Sequence, residues 1–478
     1  MSRTNKLLIN EYKTCVDELL DNVAFTNPGL VRLEGHSVIV RDDINNFKST
    51  HVTVISGGGS GHEPFPSGFV GKGMLSAAVC GDVFASPSSS EVFAAVKSVS
   101  SSKGVIMLVA NYTGDRLNFG IARERAVQTL GIKVETIVVG EDCALLPNDK
   151  TAGRRGLVGI VFAMKIAGSM SEEGKSIENI CEVLRAVVSP KKMGTIGLSL
   201  SGCSVPGKGT SFKLLEDEME LGLGAHGESG VKRVKVASAQ ETADLVLNHM
   251  TDKSNLAHLS MKKDDQVCMI INNLGGLTFI EIRLIASRIL SQLQHKFNVQ
   301  VVRFYIGHLM TSLDMCGFNV NISIVNDEVV RYLDAKTNAP SWPNISKSKF
   351  SGNELNHNNI LPISSSEVTS VENVENTKLE NEKIAIVLSC VEAACKKLLE
   401  NEHYINKLDG EGVGDADCGS TLARGSNEIL NNISNWQSIK SIGKIFMKIA
   451  TTVENSMGGA SGFLFKFYLK MFNFINIS

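Results

Sequence analysis

The ten cysteines are scattered between positions 15 and 418 without one CxxC pair. That removes zinc-ribbon and disulfide frameworks and implies reduced, mostly buried thiols. Charge of one sign is missing as well: 48 Lys+Arg against 50 Asp+Glu leave a formal net charge of −2. Composition therefore builds no field to gather nucleic acid or anionic lipid, and a small-molecule ligand is the better expectation. No stretch reaches the ~18 apolar residues of a membrane span. The opening MSRTNKLLINEYKTC has no apolar signal region, so the expected address is cytoplasmic. Proline is sparse, 10 residues against 43 glycines, which points to tight strand-to-helix turns rather than low complexity.

What is present suits an enzyme. The 478 residues, 43% hydrophobic, are too many for one ordinary core. Short β-branched runs at Val52–Ile55, Val105–Val109 and Val134–Val139, with a helical pattern at Arg116–Leu130, predict an α/β unit. Residues Lys192 to Gly230 break the rhythm. It restarts at Val267–Ile271, Glu281–Leu293, Val299–Tyr305 and Ile322–Val325, so a second α/β lobe is expected up to about residue 345, the split falling near 195–240.

From Ser346 the composition shifts to Ser, Asn, Glu and Val with almost no period, which predicts a flexible linker over 346–382. Beyond it, Ile384–Leu399 and Ile439–Val453 read as amphipathic helices with no strand between them, so the third unit, 383–478, is all-α. The final GFLFKFYLKMFNFINIS, with Phe463, Phe465, Phe467, Phe472 and Phe474, reads either as a buried terminal helix or as a departure from the parent reading frame near residue 462.

The segment SGGGSGHEP, Ser56 to Pro64, follows the first strand run. Glycines there allow backbone N–H groups to approach a polar ligand, at the strand end where α/β sheets bind; a plain tight turn is the bland alternative. It is not a Walker A loop, because Pro66 stands five residues before Gly71 and Gly73 follows Lys72. It is not an esterase elbow either, since the fifth position counted from Gly58 is His62. The next run leads into ANYTGDRLNFG, where Asp115 either caps the helix or faces a ligand. Two such junctions in one parallel sheet converge on the same edge, which brings His62 and Asp115 toward one pocket.

His226 lies in ELGLGAHGESG, among glycines that leave its ring open to a ligand. In the helical unit KLDGEGVGDADCGST carries Asp409, Asp415 and Asp417 on a turn-rich segment. Such carboxylates can bend toward one hard cation such as Mg²⁺, or simply be solvated. The segment MGGASG, Met457 to Gly462, offers further backbone donors for a phosphate.

Taken together, SGGGSGHEP, NYTGDRLNFG, AGRRG (Ala152 to Gly156), ELGLGAHGESG, NNLGG (Asn272 to Gly276) and DADCGST closely resemble the ATP-dependent dihydroxyacetone kinase family, nearest its animal triose-kinase branch. The resemblance implies a substrate domain of two α/β lobes (1–345), a linker, and a helical-barrel nucleotide domain, here truncated. It implies phosphorylation of dihydroxyacetone and glyceraldehyde, with His226 bonding the carbonyl carbon as a hemiaminal, Asp115 as base and His62 assisting. Gly59, Ser60, Gly61, His62 and Asp115 would contact the sugar. Asp409, Asp415 and Asp417 would hold Mg²⁺. Asp417, Cys418, Gly419, Ser420, Ala460 and Ser461 would contact ATP. From the animal branch come a side reaction splitting FAD into AMP and cyclic FMN, with Mn²⁺, and a homodimer.

Three departures from the family pattern stand out. Ala110 replaces a substrate-reaching lysine, Ala416 replaces a glycine between two metal-binding aspartates, and the Asp409-to-Asp415 spacing is one residue longer. With half of the expected barrel lacking, a catalytically impaired, triose-binding isoform is the alternative reading.

Overall fold

The computed structural model describes residues 7–145, 153–343, 380–411, 415–458 and 469. It divides into two compact units, Met1–Asn359 and Ile360–Ser478. Most of the linker expected over 346–382 and the phenylalanine-rich end lie outside the described residues, as do Ala152, Ala460 and Ser461. No helix among the described residues is long and apolar enough to cross a membrane.

The first unit opens with α1 (Cys15–Thr26), β1 (Leu30–Arg32), β2 (Val38–Arg41), α2 (Ile44–Phe47), β3 (Thr53–Ser60), β4 (Ala77–Val83), α3 (Ser89–Ser98), β5 (Val105–Ala110), α4 (Thr113–Leu130) and β6 (Val134–Val139). The six strands form one sheet in the order β1-β2-β4-β3-β5-β6. Strands β4, β3, β5 and β6 run parallel while β1 and β2 add an antiparallel edge, so the sheet is mixed rather than wholly parallel. Residues Val105 to Ala110 are all buried, because Ile106, Leu108 and Ala110 enter one core and Val105, Met107 and Val109 the other. A strand covered on both faces reads as a continuous apolar run, which is why the sequence showed it.

Two expectations are corrected here. Strand β3 does not stop at Ile55; it continues through the glycines to Ser60. A Cβ on Gly57 would stand 2.4 Å from the Val79 carbonyl oxygen, so glycine there serves close approach between strands rather than a turn. Likewise α4 begins at Thr113, not Arg116, which puts Asp115 inside the first turn; Tyr112 holds the N-cap position without a side-chain cap.

Helices α5 (Ile160–Glu172) and α6 (Ile177–Val187) lead into a second sheet. Its strands are β7 (Met193–Ser199), β10 (Glu218–Leu221), β11 (Lys232–Lys235), β12 (Gln266–Asn273), β13 (Gln300–Gly307) and β14 (Gly317–Ile324), in the order β11-β10-β7-β14-β12-β13. A small hairpin, β8 (Ser204–Val205) with β9 (Gly209–Thr210), and helices α7 (Ala239–Thr251), α8 (Phe279–His295) and α9 (Asp327–Asp334) complete the unit. The stretch from Lys192 to Gly230 therefore contains strands, in antiparallel pairs that the apolar-run criterion did not reveal.

Helix α5 joins the two lobes. Residues Ile160 to Ser171 are all buried, in a core that also takes Cys268 and Ile270 from β12. A helix without a solvent face must satisfy its polar side chains internally. The Lys165 Nζ donates to Ser169 Oγ at 2.6 Å and to the Tyr332 carbonyl at 3.0 Å.

The second unit is α10 (Asn381–Glu400), α11 (Glu402–Gly410), α12 (Cys418–Ile433) and α13 (Ile442–Ser456). Ile384, Leu388, Leu422, Ile429, Ile445 and Ile449 share its core.

Burial lowers the Lys165 pKa from 10.5 to about 8. The unfolded chain therefore takes up this proton first as pH falls, and stability should rise with pH between about 8 and 10.5. Lys165→Met should flatten that rise while Ser169 still donates to the Tyr332 carbonyl at 2.9 Å. Denaturant unfolding at pH 8 and pH 10 reads the change; an unaltered slope would show the ammonium to be charged in the fold.

Candidate active site

Beyond the end of β3, His62 is buried, 3% exposed. Its Nδ1 lies 2.8 Å from the Thr311 carbonyl oxygen. A carbonyl only accepts, so Nδ1 carries the proton and Nε2 is left as an acceptor. Burial first, then the neighbouring His226, lower the His62 pKa to about 3. The imidazole is therefore neutral across the physiological range.

Thr311 sits in the β13–β14 connection, which clasps the other lobe by two backbone hydrogen bonds, Thr311 N to the His62 carbonyl at 3.0 Å and Leu313 N to the Gly61 carbonyl at 2.8 Å, and one from a side chain, Thr311 Oγ1 to the Glu63 carbonyl at 2.8 Å. The NNLGG segment explains this loop's position. Asn272 Oδ1 accepts from Leu309 N at 2.8 Å and Met310 N at 3.0 Å, and its Nδ2 donates to the Met310 carbonyl at 2.6 Å. Ser312 Oγ then donates to the Ala225 carbonyl at 2.6 Å, which ties the same loop to the segment bearing His226.

The His226 ring meets three others edge-on: His62 at 4.8 Å between centroids, Tyr112 at 5.0 Å and Phe84 at 5.1 Å. Phe84 also stacks on His62 at 5.0 Å. Its backbone is left-handed, φ 57°, as is that of Leu313 at 55°. Such conformations are costly for bulky residues and concentrate where a side chain must be aimed.

The partner of His226 is Glu228, two residues further along the ELGLGAHGESG segment and not among the expected site residues. Nδ1 lies 2.7 Å from Oε1, and the His226 backbone N–H donates to Oε2 at 2.9 Å. Burial works to raise the Glu228 pKa, but the hydrogen bonds it accepts from His226 outweigh it, and the group sits at about 2. An ionised carboxylate accepts from Nδ1, so the lone pair of His226 is on Nε2. The two-residue spacing from His226 to Glu228 was the available signal.

Asp115 is 7% exposed, and its pKa is raised chiefly by burial, against the Ser86 hydroxyl and the charge of His226. Its Oδ1 has no hydrogen-bond partner. The structure thus brings His226 beside His62 and puts Asp115 within electrostatic reach of His226. Ser60 and Gly61 arrive with their donors engaged: Ser60 Oγ donates to the Gly81 carbonyl at 2.7 Å, and the Gly61 N–H to the Glu63 carboxylate at 3.0 Å. Gly59 lies within β3, and Ala110 is buried at the end of β5.

In the helical unit Asp409 belongs to the last turn of α11, not to a free loop. One oxygen each from Asp409, Asp415 and Asp417 lies within 4.8 Å of the others. Asp417 is raised above its ordinary value by a hydrogen bond with Asp415, then by that group's charge, and Asp409 Oδ2 accepts from Asp417 N at 3.1 Å. Three crowded hard oxygens are a donor set that fits Mg²⁺. Cys418, Gly419 and Ser420 form the first turn of α12, where Asn406 Oδ1 accepts from Ser420 N at 3.1 Å and Ser420 Oγ donates to Glu402 Oε1 at 2.8 Å. Neither Asn406 nor Glu402 was anticipated.

The geometry defines a class: a two-sheet α/β unit followed by a helical unit with a carboxylate cluster. Residues 21–341 match the Dak1 domain and 412–473 the DAK2 domain. The chain is 39% identical over 468 residues to the triokinase/FMN cyclase of Homo sapiens, covering 98% of this chain and 79% of that protein. It is 33% identical over 491 residues to dihydroxyacetone kinase 1 of Saccharomyces cerevisiae, covering 96% and 79%. Among solved structures, the native dihydroxyacetone kinase of C. freundii superposes with a TM-score of 0.70 at 31% identity, over 99% of this chain and 82% of that one. The same enzyme in complex with AMP-PNP and Mg²⁺ gives 0.69 at 32%, over 98% and 82%. The chain belongs to the dihydroxyacetone kinase family.

Ala416 is left-handed, φ 60°, between Asp415 and Asp417. A Cβ in that region costs ~1–2 kcal/mol. Ala416→Gly should therefore stabilise the helical unit by about 1 kcal/mol. Thermal unfolding of this unit checks it, and an unchanged or lower midpoint would count against strain at this residue.

Proposed function

We propose that the chain transfers the γ-phosphoryl group of Mg-ATP to dihydroxyacetone or glyceraldehyde, held through its carbonyl carbon on His226. The observation that carries this reading is the His226 ring itself, with Nδ1 committed to an ionised Glu228 and His62 at 4.8 Å. Nε2 forms a bond to the carbonyl carbon while the C=O π pair moves to oxygen. The Nδ1 proton, polarised toward Glu228, leaves to solvent as the new oxyanion takes one up from solvent, so the hemiaminal is neutral and the carboxylate stays ionised throughout. His62 presents a bare Nε2 and accepts a hydrogen bond from a substrate hydroxyl.

A nucleophile of this kind selects a free carbonyl, so glycerol is excluded. Asp115, made more basic by burial, takes the proton of the terminal hydroxyl through Oδ1 as that oxygen bonds to the γ-phosphorus and the bond to the ADP oxygen breaks. Mg²⁺ held by Asp409, Asp415 and Asp417 would supply charge neutralisation on the phosphates. Cys418, Gly419 and Ser420, together with Ala460 and Ser461, are the proposed nucleotide contacts. The FAD-splitting reaction, Mn²⁺ and homodimer assembly are favoured by no feature of the described residues and stay outside the proposal.

Purified chain with Mg-ATP and dihydroxyacetone should release ADP above a ketone-free background and show a mass increment of one triose in the native spectrum. His226→Ala should lose both. Asp115→Asn should keep the increment and lower kcat by about 10²- to 10⁴-fold. A triose increment without ADP in the wild type would leave a binding protein in place of a kinase.

A further inference from the structure

We propose that Arg155, backed by Asp142, is a positioning residue for His226 and acts through Glu228. The inference rests on the reading of His226 as the carbonyl-capturing residue. Arg155 belongs to the AGRRG segment, which the proposed chemistry leaves unused. Its side chain is 7% exposed, and that of Asp142 is fully buried. Nε donates to Asp142 Oδ2 at 2.6 Å and Nη2 to the Gly222 carbonyl at 2.5 Å. The remaining nitrogen, Nη1, is buried without a hydrogen-bond partner.

Where that nitrogen lies is fixed by Gly224. A Cβ at this glycine would stand 2.0 Å from Glu228 Oε2 and 2.7 Å from Arg155 Nη1. Both atoms border the space that a side chain would fill, so the guanidinium and the carboxylate face each other across it. The chain of charges runs Asp142, Arg155, Glu228 and ends on the imidazole.

The arrangement has a definite electrostatic sense. A carboxylate beside a neutral imidazole keeps a hydrogen bond in two states: ionised, it accepts from Nδ1–H and Nε2 is bare; or, with one further proton taken from solvent, the carboxyl donates to a bare Nδ1 while Nε2 carries the ring proton. A cation behind the carboxylate disfavours the second state, and it also disfavours the imidazolium that an isolated carboxylate would promote. Arg155 so placed keeps the proton on Nδ1 and the lone pair on Nε2. Asp142 in turn holds the guanidinium, as outer partners of a functional histidine commonly do. The groups that face the ring from the other elements are His62, Asp115 at the start of α4, and Tyr112 before it. None of these contacts Nδ1, so the tautomer is decided on the Glu228 side.

The test uses the full chain with ¹⁵N-labelled histidine and dihydroxyacetone as the probe. Long-range ¹H–¹⁵N spectra should show His226 protonated at Nδ1 in the wild type and mixed in Arg155→Met, whose triose increment falls about 10- to 100-fold. In a Glu228→Gln background the same Arg155→Met change should cost less than about twofold, because the pathway is already cut. Arg155→Lys, which keeps the charge, should restore part of the increment. Equal losses in both backgrounds, or an unmoved tautomer in a folded Arg155→Met protein, would overturn the proposal. If Arg155→Met does not fold, Asp142→Asn takes its place: a partial shift of the same kind is expected, and none overturns it. A wild type that forms no adduct defeats the His226 reading alone, since the spectra still decide the positioning claim.

Discussion

The contact between His226 Nδ1 and the ionised Glu228 is the constraint from which the chemistry of the α/β unit follows, because a neutral histidine has one lone pair to offer and the partner of its N–H decides which nitrogen bears it. Everything close to it serves to keep that commitment. Phe84, Tyr112 and His62 box the ring edge-on, and the loop tied by Ser312 to Ala225 holds the segment from beneath. The two histidines are thereby given different duties by different neighbours. One faces a carboxylate, the other a carbonyl, and only the first has a base against its protonated nitrogen.

Burial does the complementary work at Asp115. A carboxyl in the first turn of α4 enjoys the helix dipole, which favours its ionised form, yet its enclosure raises it. Enclosure prevails, and the result is a carboxylate that is a stronger base than an exposed aspartate. In the helical unit the raised Asp417 has another origin, the crowding of Asp415 and Asp409 in high dielectric, which a divalent cation would remove.

Much of this was legible in the residues, for reasons that differ by type. Buried parallel strands such as β5 announce themselves as unbroken apolar runs, and His62, Asp115 and His226 stood out because glycine or a strand end flanked each. Strands β7 and β10 hid among glycines and polar residues, since one polar face of the second sheet meets the other lobe. Thr311 acts through its carbonyl, and a backbone oxygen has no residue-type signature. Phe84 looks like any core phenylalanine until its left-handed backbone is seen. Gly57 misled in the opposite direction: its segment reads as a loop whose backbone approaches a ligand, or else a tight turn, where its use is to let β3 approach β4. Glu228 and Arg155 were within quoted motifs, but their meaning depends on facing one another across Gly224, which spacing along a chain does not encode.

The clasp between residues 61–63 and 311–313 is made of backbone amides, carbonyls, one hydroxyl and an imidazole that stays uncharged. No member of it gains or loses a proton over the range in which cells live. The joint between the lobes is thus indifferent to acidity and holds its register whatever the protons nearby are doing.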